Sequence, residues 1–268
     1  MEIGPGTRAL ITGASRGIGR ALAEAIAARG ATLGLAARST RELEALADAL
    51  GRPGSDHRVL ECDVASRASV EAAVDGFARA AGGLDLVIAN AGITHYAPVL
   101  EQPVEDIEQM TQVNWLGTVY TVKAALPHLR AGTGGHIVVM SSGAGLRSFP
   151  SAAVYGATKA AQRMFAAALR HELHDSGVSL TTVYPGEIAT SLHDHEKATM
   201  PPWYRGDRAA APAEALASRI LKAVEADRRE LHYPALVKLL GIVNGLSPRA
   251  ADAVLRRLRG ASAAPRRG

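Results

Sequence analysis

Aromatic side chains make up only 4% of this 268-residue chain, so Ala, Leu, Val and Gly must build its core. Cysteine occurs once, at Cys62, which excludes an internal disulfide and suits a reducing compartment. No stretch reaches the ~18 uninterrupted apolar residues of a spanning helix. No signal peptide is read at the start, where Glu2 and Pro5 precede a short apolar run, and the expected location is cytoplasmic. Metal motifs are also lacking. His171-Glu172-Leu173-His174 does not have the H-E-x-x-H spacing of a zinc protease. His193-Asp194-His195-Glu196 alternates like a loop, with no third ligand group at a fixed spacing. No metal is expected.

Acidic residues are scarce in one place. Residues 235–268 hold Lys238 and six arginines against Asp252 alone, a balance of +6. The whole chain carries +4, so the remainder carries −2. The basic excess belongs to the tail and gives no reason to expect a nucleic-acid partner for the body.

What is abundant is alternation. Apolar runs at Arg8–Thr12, Thr32–Ala37, Arg58–Cys62, Leu84–Ala89, His136–Met140, Val178–Tyr184 and Glu230–Tyr233 are separated by helical patterns. Strands apolar on both faces, regularly interleaved with helices, predict a parallel α/β sheet covered on both sides. One long helix is predicted from Pro103, with Glu105 and Asp106 favouring its N-terminal dipole. No linker of Pro, Gly and Ser divides the chain, so residues 1–234 read as one domain, followed by an extension over 235–268.

Between the first strand and first helix lies Thr12-Gly13-Ala14-Ser15-Arg16-Gly17-Ile18-Gly19. Glycines there let a pyrophosphate approach the backbone at a helix N-terminus, where free N–H groups and the dipole favour anions. The loop lacks the Lys-Ser/Thr ending of a nucleoside-triphosphate site. The end of the second strand, Ala36-Ala37-Arg38-Ser39, lacks the acid that binds the ribose hydroxyls of NAD. Arg38, with Arg16 in the loop, suits a 2′-phosphate instead, so NADP(H) is the expected cofactor.

Tyr155 and Lys159 stand one helical turn apart, with Ser142 upstream. An ammonium beside a phenol favours the phenolate, so Lys159 is expected to lower the Tyr155 pKa and fit it for proton transfer. Strand alternation favours Ser142 over Ser141 as the partner facing the site.

With these motifs in order, the sequence resembles the short-chain dehydrogenase/reductase family from Thr7 to about Pro234. The matching positions are Gly13, Ser15, Arg16, Gly17, Ile18 and Gly19, then Asp63-Val64, Asn90-Ala91-Gly92, Asn114, Ser142, Tyr155 and Lys159, and finally Pro185, Gly186, Ile188 and Thr190. The resemblance implies a Rossmann-type, doubly wound, seven-stranded parallel sheet with a C-terminal helical extension. It implies that Asp63 and Val64 hold the adenine, and that Asn90, Ala91 and Gly92 line the cofactor ribose. Asn114 would help bind a water in a proton relay. Pro185, Gly186, Ile188 and Thr190 would flank the nicotinamide, and Lys159 would reach its ribose. Ala89 departs from the family's usual Asn-Asn-Ala-Gly. The implied chemistry is hydride exchange between the cofactor and a carbonyl or alcohol, with Tyr155 as proton donor, Ser142 on the same oxygen, and Asn114 and Lys159 completing the set. The family also implies a homodimer or homotetramer, paired through the helices of Asn114 and Tyr155.

The lid is expected between Ser191 and Ala211, where Met200-Pro201-Pro202-Trp203-Tyr204 faces Leu146 and Phe149 and suggests an apolar or lipid-like substrate. Ala235–Leu246 is almost wholly apolar, and Ser247-Pro248 opens a basic helix with Ala250, Val254, Leu255 and Leu258 on its apolar side. This tail either covers the substrate cleft or an intersubunit surface, the packing that the reading favours, or lies on an anionic membrane. A non-catalytic nucleotide sensor or scaffold on the same fold is the alternative, although a scaffold has no need of Asn114, Ser142, Tyr155 and Lys159 together.

Overall fold

The computed structural model describes residues 1–51, 56–132, 134–192 and 210–263. The chain begins with β1 (Arg8–Thr12), α1 (Gly17–Ala27), β2 (Thr32–Ala37), α2 (Thr40–Leu50), β3 (Arg58–Glu61), α3 (Arg67–Ala81) and β4 (Leu86–Ala89). It continues through α4 (Val104–Met110), a π-helical turn (Thr111–Leu116), α5 (Gly117–Ala131), β5 (Gly135–Met140), a 3₁₀ turn (Gly143–Gly145) and α6 (Ala153–Glu172). Then come β6 (Val178–Pro185), β7 (Ile188–Ala189), β8 (Ala211–Pro212), α7 (Ala213–Glu225), β9 (Glu230–Tyr233), α8 (Leu236–Leu246) and α9 (Pro248–Ala263).

Seven parallel strands lie in the order β3-β2-β1-β4-β5-β6-β9. The chain winds outward from β1 to β3, then returns to β4 on the other side of β1. That reversal leaves a crevice beyond the carboxyl ends of β1 and β4, the place where open α/β sheets hold ligands.

The period-two alternation of the strands feeds two cores. Ala9 and Ile11 face the core under α1, α2 and α7, while Leu10 faces the core under α3, α5 and α6. Leu86 and Ile88 alternate with Val87 and Ala89 in the same way. Each fully buried Leu- or Phe-sized side chain contributes roughly 1.5–3 kcal/mol by leaving water. Gly34 in β2 is set by that packing, because a Cβ there would lie 2.8 Å from the Phe77 ring.

The long helix expected from Pro103 runs without a break through α4, the π turn and α5 to Ala131, and the π turn at Thr111–Leu116 within it carries Asn114. One expectation needs correction. The fourth strand starts at Leu86 rather than Leu84. Asp85 is diverted into a forked pair with Arg8, at 2.7 Å to Nε and 2.6 Å to the terminal nitrogen.

Candidate active site

A cavity of about 870 Å³ opens over the carboxyl ends of β1, β4, β5 and β6. It gathers Gly13, Ser15, Arg16, Gly17 and Ile18 from the glycine loop, Arg38 after β2, and Asp63 and Val64 after β3. Asn90, Ala91 and Gly92 border it after β4, as do Ser142, Tyr155 and Lys159, and Pro185, Gly186, Ile188 and Thr190 from the end of β6 onward. Gly19 and Asn114 do not line it. Gly19 is buried behind the loop, where a Cβ would come 2.1 Å from the Gly13 carbonyl oxygen.

The loop is built to expose backbone. Gly13 and Gly17 take left-handed φ of +69° and +56°, which favour glycine. Arg16, the residue before α1, makes no side-chain cap, and the first turn of α1 carries no acid. The first N–H groups of α1 therefore remain available to a ligand anion. Asn90 Nδ2 donates to the Thr12 and Gly13 carbonyls at 3.0 and 3.2 Å, stitching the end of β4 to the loop. Arg38 and Arg16 are exposed at the adenosine end. The acids bordering the cavity from this side are Glu42, in the first turn of α2, and Asp63 after β3, and neither stands at the end of β2. This donor set fits a dinucleotide.

At the other end, Tyr155 is buried and hydrogen-bonded with Ser142. Ser142 Oγ also accepts from the Ala144 N–H at 3.1 Å, which holds it at the start of the 3₁₀ turn. The neighbouring Ser141 hydroxyl is committed elsewhere, donating to the Lys159 carbonyl at 2.8 Å. Tyr96 meets the Tyr155 ring edge-on at 5.8 Å between centroids.

The expected effect of Lys159 on Tyr155 is corrected by burial. Desolvation pushes the phenol up to about 12, opposed by its hydrogen bond with Ser142. Desolvation also lowers Lys159 to about 7. Its Nζ lies 5.8 Å from the Tyr155 ring centroid and donates to the Met140 carbonyl at 2.9 Å. A lysine so readily deprotonated exerts less of the attraction that spacing alone implied.

Asn114 lies fully buried behind the cavity. Its Oδ1 accepts from the Ile93 N–H at 2.8 Å, and its Nδ2 donates to the Ile93 carbonyl at 3.0 Å and to Thr158 Oγ1 at 3.1 Å. It thus clamps the loop after β4 to α6. Its own carbonyl accepts from Gln162 Nε2 and from the Thr118 hydroxyl, both at 2.8 Å. Sequence reasoning missed Gln162, which stands three residues past Lys159 on the same helix face. The extension after Pro234, expected to pack over the substrate cleft or an intersubunit surface, sends α8 along the cavity wall. Met200–Tyr204, His193–Glu196 and the side chains of Val254, Leu255 and Leu258 lie outside the described residues. No helix among the described residues is long and apolar enough to cross a membrane.

The short chain dehydrogenase family model matches residues 7–201, and the chain belongs to that family of oxidoreductases. An uncharacterized oxidoreductase of Myxococcus xanthus is 36% identical over 193 residues, covering 72% of this chain and 76% of that protein. A short chain dehydrogenase/reductase from Burkholderia phymatum, solved in complex with NAD, superposes with a TM-score of 0.81 at 27% identity, over 92% of this chain and 96% of that one. An alcohol dehydrogenase from Thermococcus sibiricus, complexed with 5-hydroxy-NADP, gives 0.76 at 30% identity, over 84% and 95%.

Proposed function

We propose that the protein is an NADP(H)-dependent oxidoreductase that interconverts a ketone or aldehyde with its alcohol, on an apolar or lipid-like substrate. The observation that carries this reading is the meeting of the Ser142 hydroxyl and the Tyr155 phenol at one end of a cleft whose other end is a glycine loop with Arg16 and Arg38. The catalytic unit is residues 1–234, with 235–268 as an extension, working in the cytoplasm as a homodimer or homotetramer.

When bound, NADPH supplies the hydride. The glycine loop and the N-terminus of α1 hold its pyrophosphate, Arg38 and Arg16 its 2′-phosphate, and Asp63 and Val64 its adenine. Asn90, Ala91, Gly92 and Lys159 hold the ribose beside the nicotinamide. Pro185, Gly186, Ile188 and Thr190 border the ring itself. Tyr155 gives its proton to the carbonyl oxygen, and Ser142 donates a second hydrogen bond there. One preorganised donor of this kind is worth about 3–4 kcal/mol of transition-state stabilisation. A phenol near 12 stays protonated at neutral pH, which favours the reducing direction. Asn114 positions the loop after β4 against α6.

The test is NADPH oxidation followed by absorbance over a panel of ketones and aldehydes, with Tyr155→Phe as the control. The variant is expected to bind NADPH as the parent does and to turn over at least a thousandfold more slowly, roughly the loss of a proton donor plus its hydrogen bond. Near-normal turnover in Tyr155→Phe would remove the mechanism.

A further inference from the structure

α8 is apolar on nearly every side, yet only Val237 is fully buried. Its inner side is fixed. Val237 sits against Gly143 and Gly186, where an added Cβ would meet it at 3.2 and 2.9 Å. Asn244 Nδ2 donates to the Leu146 carbonyl at 3.2 Å, and Arg147 pairs with Asp252 of α9. The helix is thus held across the rim of the cavity by contacts on both sides of the 3₁₀ turn that follows Ser142.

The outer side is a row. Leu236, Leu239, Leu240 and Val243 follow the i, i+3, i+4, i+7 spacing of a single helix face. All four border the same cavity as Ser142 and Tyr155. Leu236, Leu239 and Leu240 nevertheless remain 60%, 55% and 42% exposed. Tyr96 and Phe149, with ring centroids 5.7 Å apart, line the cavity as well. Of the charged residues bordering the cavity, Arg147 comes from the turn beneath α8 and is engaged by Asp252. The row from Leu236 to Val243 runs about 10 Å at 1.5 Å per residue, the reach of a medium-length alkyl chain. Exposed leucines that line a catalytic cleft mark surface awaiting an apolar ligand.

We propose that α8 is a hydrocarbon-binding wall, and that the substrate is a ketone or secondary alcohol whose unbranched alkyl arm lies along Leu236, Leu239, Leu240 and Val243 while its oxygen meets Ser142 and Tyr155. This rests on the carbonyl–alcohol reading of the site. It also gives the C-terminal extension a role in specificity.

The experiment uses the full chain and a series of 2-alkanones from 2-butanone to 2-decanone with NADPH. A fully buried methylene is worth about fourfold in affinity, and half-burial on an open wall about twofold. The expected result is kcat/KM rising about twofold per methylene, with that slope lost in L239Q/L240Q, whose exposed sites tolerate polar side chains. Ile242→Gln, an exposed site on α8 outside the cavity lining, is expected to keep the slope. A second arm measures 2-decanone binding by calorimetry without turnover, expecting a negative heat-capacity change that the double variant diminishes. Reduction of ketones with no chain-length slope, or with a slope indifferent to L239Q/L240Q, overturns the wall and leaves the reaction intact. Length-dependent binding through α8 with no ketone reduced supports the wall and overturns the reaction reading instead. If the double variant changes only the sedimentation of the oligomer or the co-sedimentation with anionic phosphatidylglycerol vesicles, α8 is an intersubunit or membrane face and the proposal fails.

Discussion

Lys159 Nζ donates to the Met140 carbonyl oxygen at 2.9 Å, inside a buried environment that lowers the lysine to about 7. In the unfolded chain the same group stays near its ordinary value of 10.5. Between those values the unfolded state binds more protons, so this residue makes stability rise with pH across that window. Below about 7 both states are protonated, and the full cost of burying the cation is present.

Lys159→Met removes that cost. The shift corresponds to roughly 1.4 kcal/mol per pH unit, offset by about 1–3 kcal/mol for leaving the Met140 carbonyl without its donor. The variant is therefore expected to be about 2–4 kcal/mol more stable than the parent at pH 6. The advantage should shrink as pH climbs above 7 and reverse between about pH 8 and 10. Urea unfolding at a series of pH values measures this, and a pH-independent difference would contradict the buried-cation account. The same variant should be catalytically impaired, so stability and function part company at this position.

The sign of that pKa shift marks the boundary of what the sequence could tell. Spacing along a helix put Tyr155 and Lys159 on one face, but it carried no information about depth. Depth is set by Tyr96 and Met110, which pack with Ala144, Ala152 and Tyr155 from segments more than forty residues before Tyr155 in the chain. The doubly apolar runs such as Ala9-Leu10-Ile11 were legible because both of their faces are buried, and the sheet follows from them. The glycine loop was legible because its position before a helix constrains its chemistry. The π turn at Asn114 was not, since no glycine or proline in Thr111–Leu116 announces it. The cleft-facing row of α8 was hidden for another reason. A helix apolar on all sides gives no periodicity from which to choose the face that meets the site.

Gln162 tests how the π turn is held. It is fully buried, and its Nε2 donates to the Asn114 carbonyl at 2.8 Å and to Thr118 Oγ1 at 2.6 Å. Its Oε1 has no hydrogen-bond partner. Gln162→Leu removes the donor and the unsatisfied oxygen together, and the Thr118 hydroxyl still serves the Asn114 carbonyl, so a loss of about 1–2 kcal/mol is expected. Gln162→Glu is nearly the same shape but sets acceptor against acceptor and buries a charge. It should cost about 3 kcal/mol or more at pH 7 and recover partly as acid protonates the carboxyl. Chemical denaturation of the two variants at pH 7 and pH 5 decides the matter. Equal stability for the pair would mean that Nε2 is not holding the turn.

In the proposed NADP(H) reading, Arg38 carries the cofactor preference. It stands exposed at the end of β2, where an acid would bind the two ribose hydroxyls of NAD, and Arg16 faces the same end of the cavity. A charge-assisted hydrogen bond to a phosphate contributes about 1.5–3 kcal/mol, or roughly 10- to 100-fold in affinity. Arg38→Asp replaces attraction for the 2′-phosphate by repulsion and supplies a carboxylate acceptor for the hydroxyls. Its KM for NADPH is expected to rise by that factor or more, while its KM for NADH falls. Because Arg16 remains, some NADPH binding should persist and should weaken steeply with added salt. Steady-state kinetics with both cofactors at two ionic strengths give the ratio directly. An unchanged NADPH-to-NADH preference in Arg38→Asp would show that the 2′-phosphate is not read by Arg38. Glu42, which borders the same cavity from the first turn of α2, would then become the residue to replace.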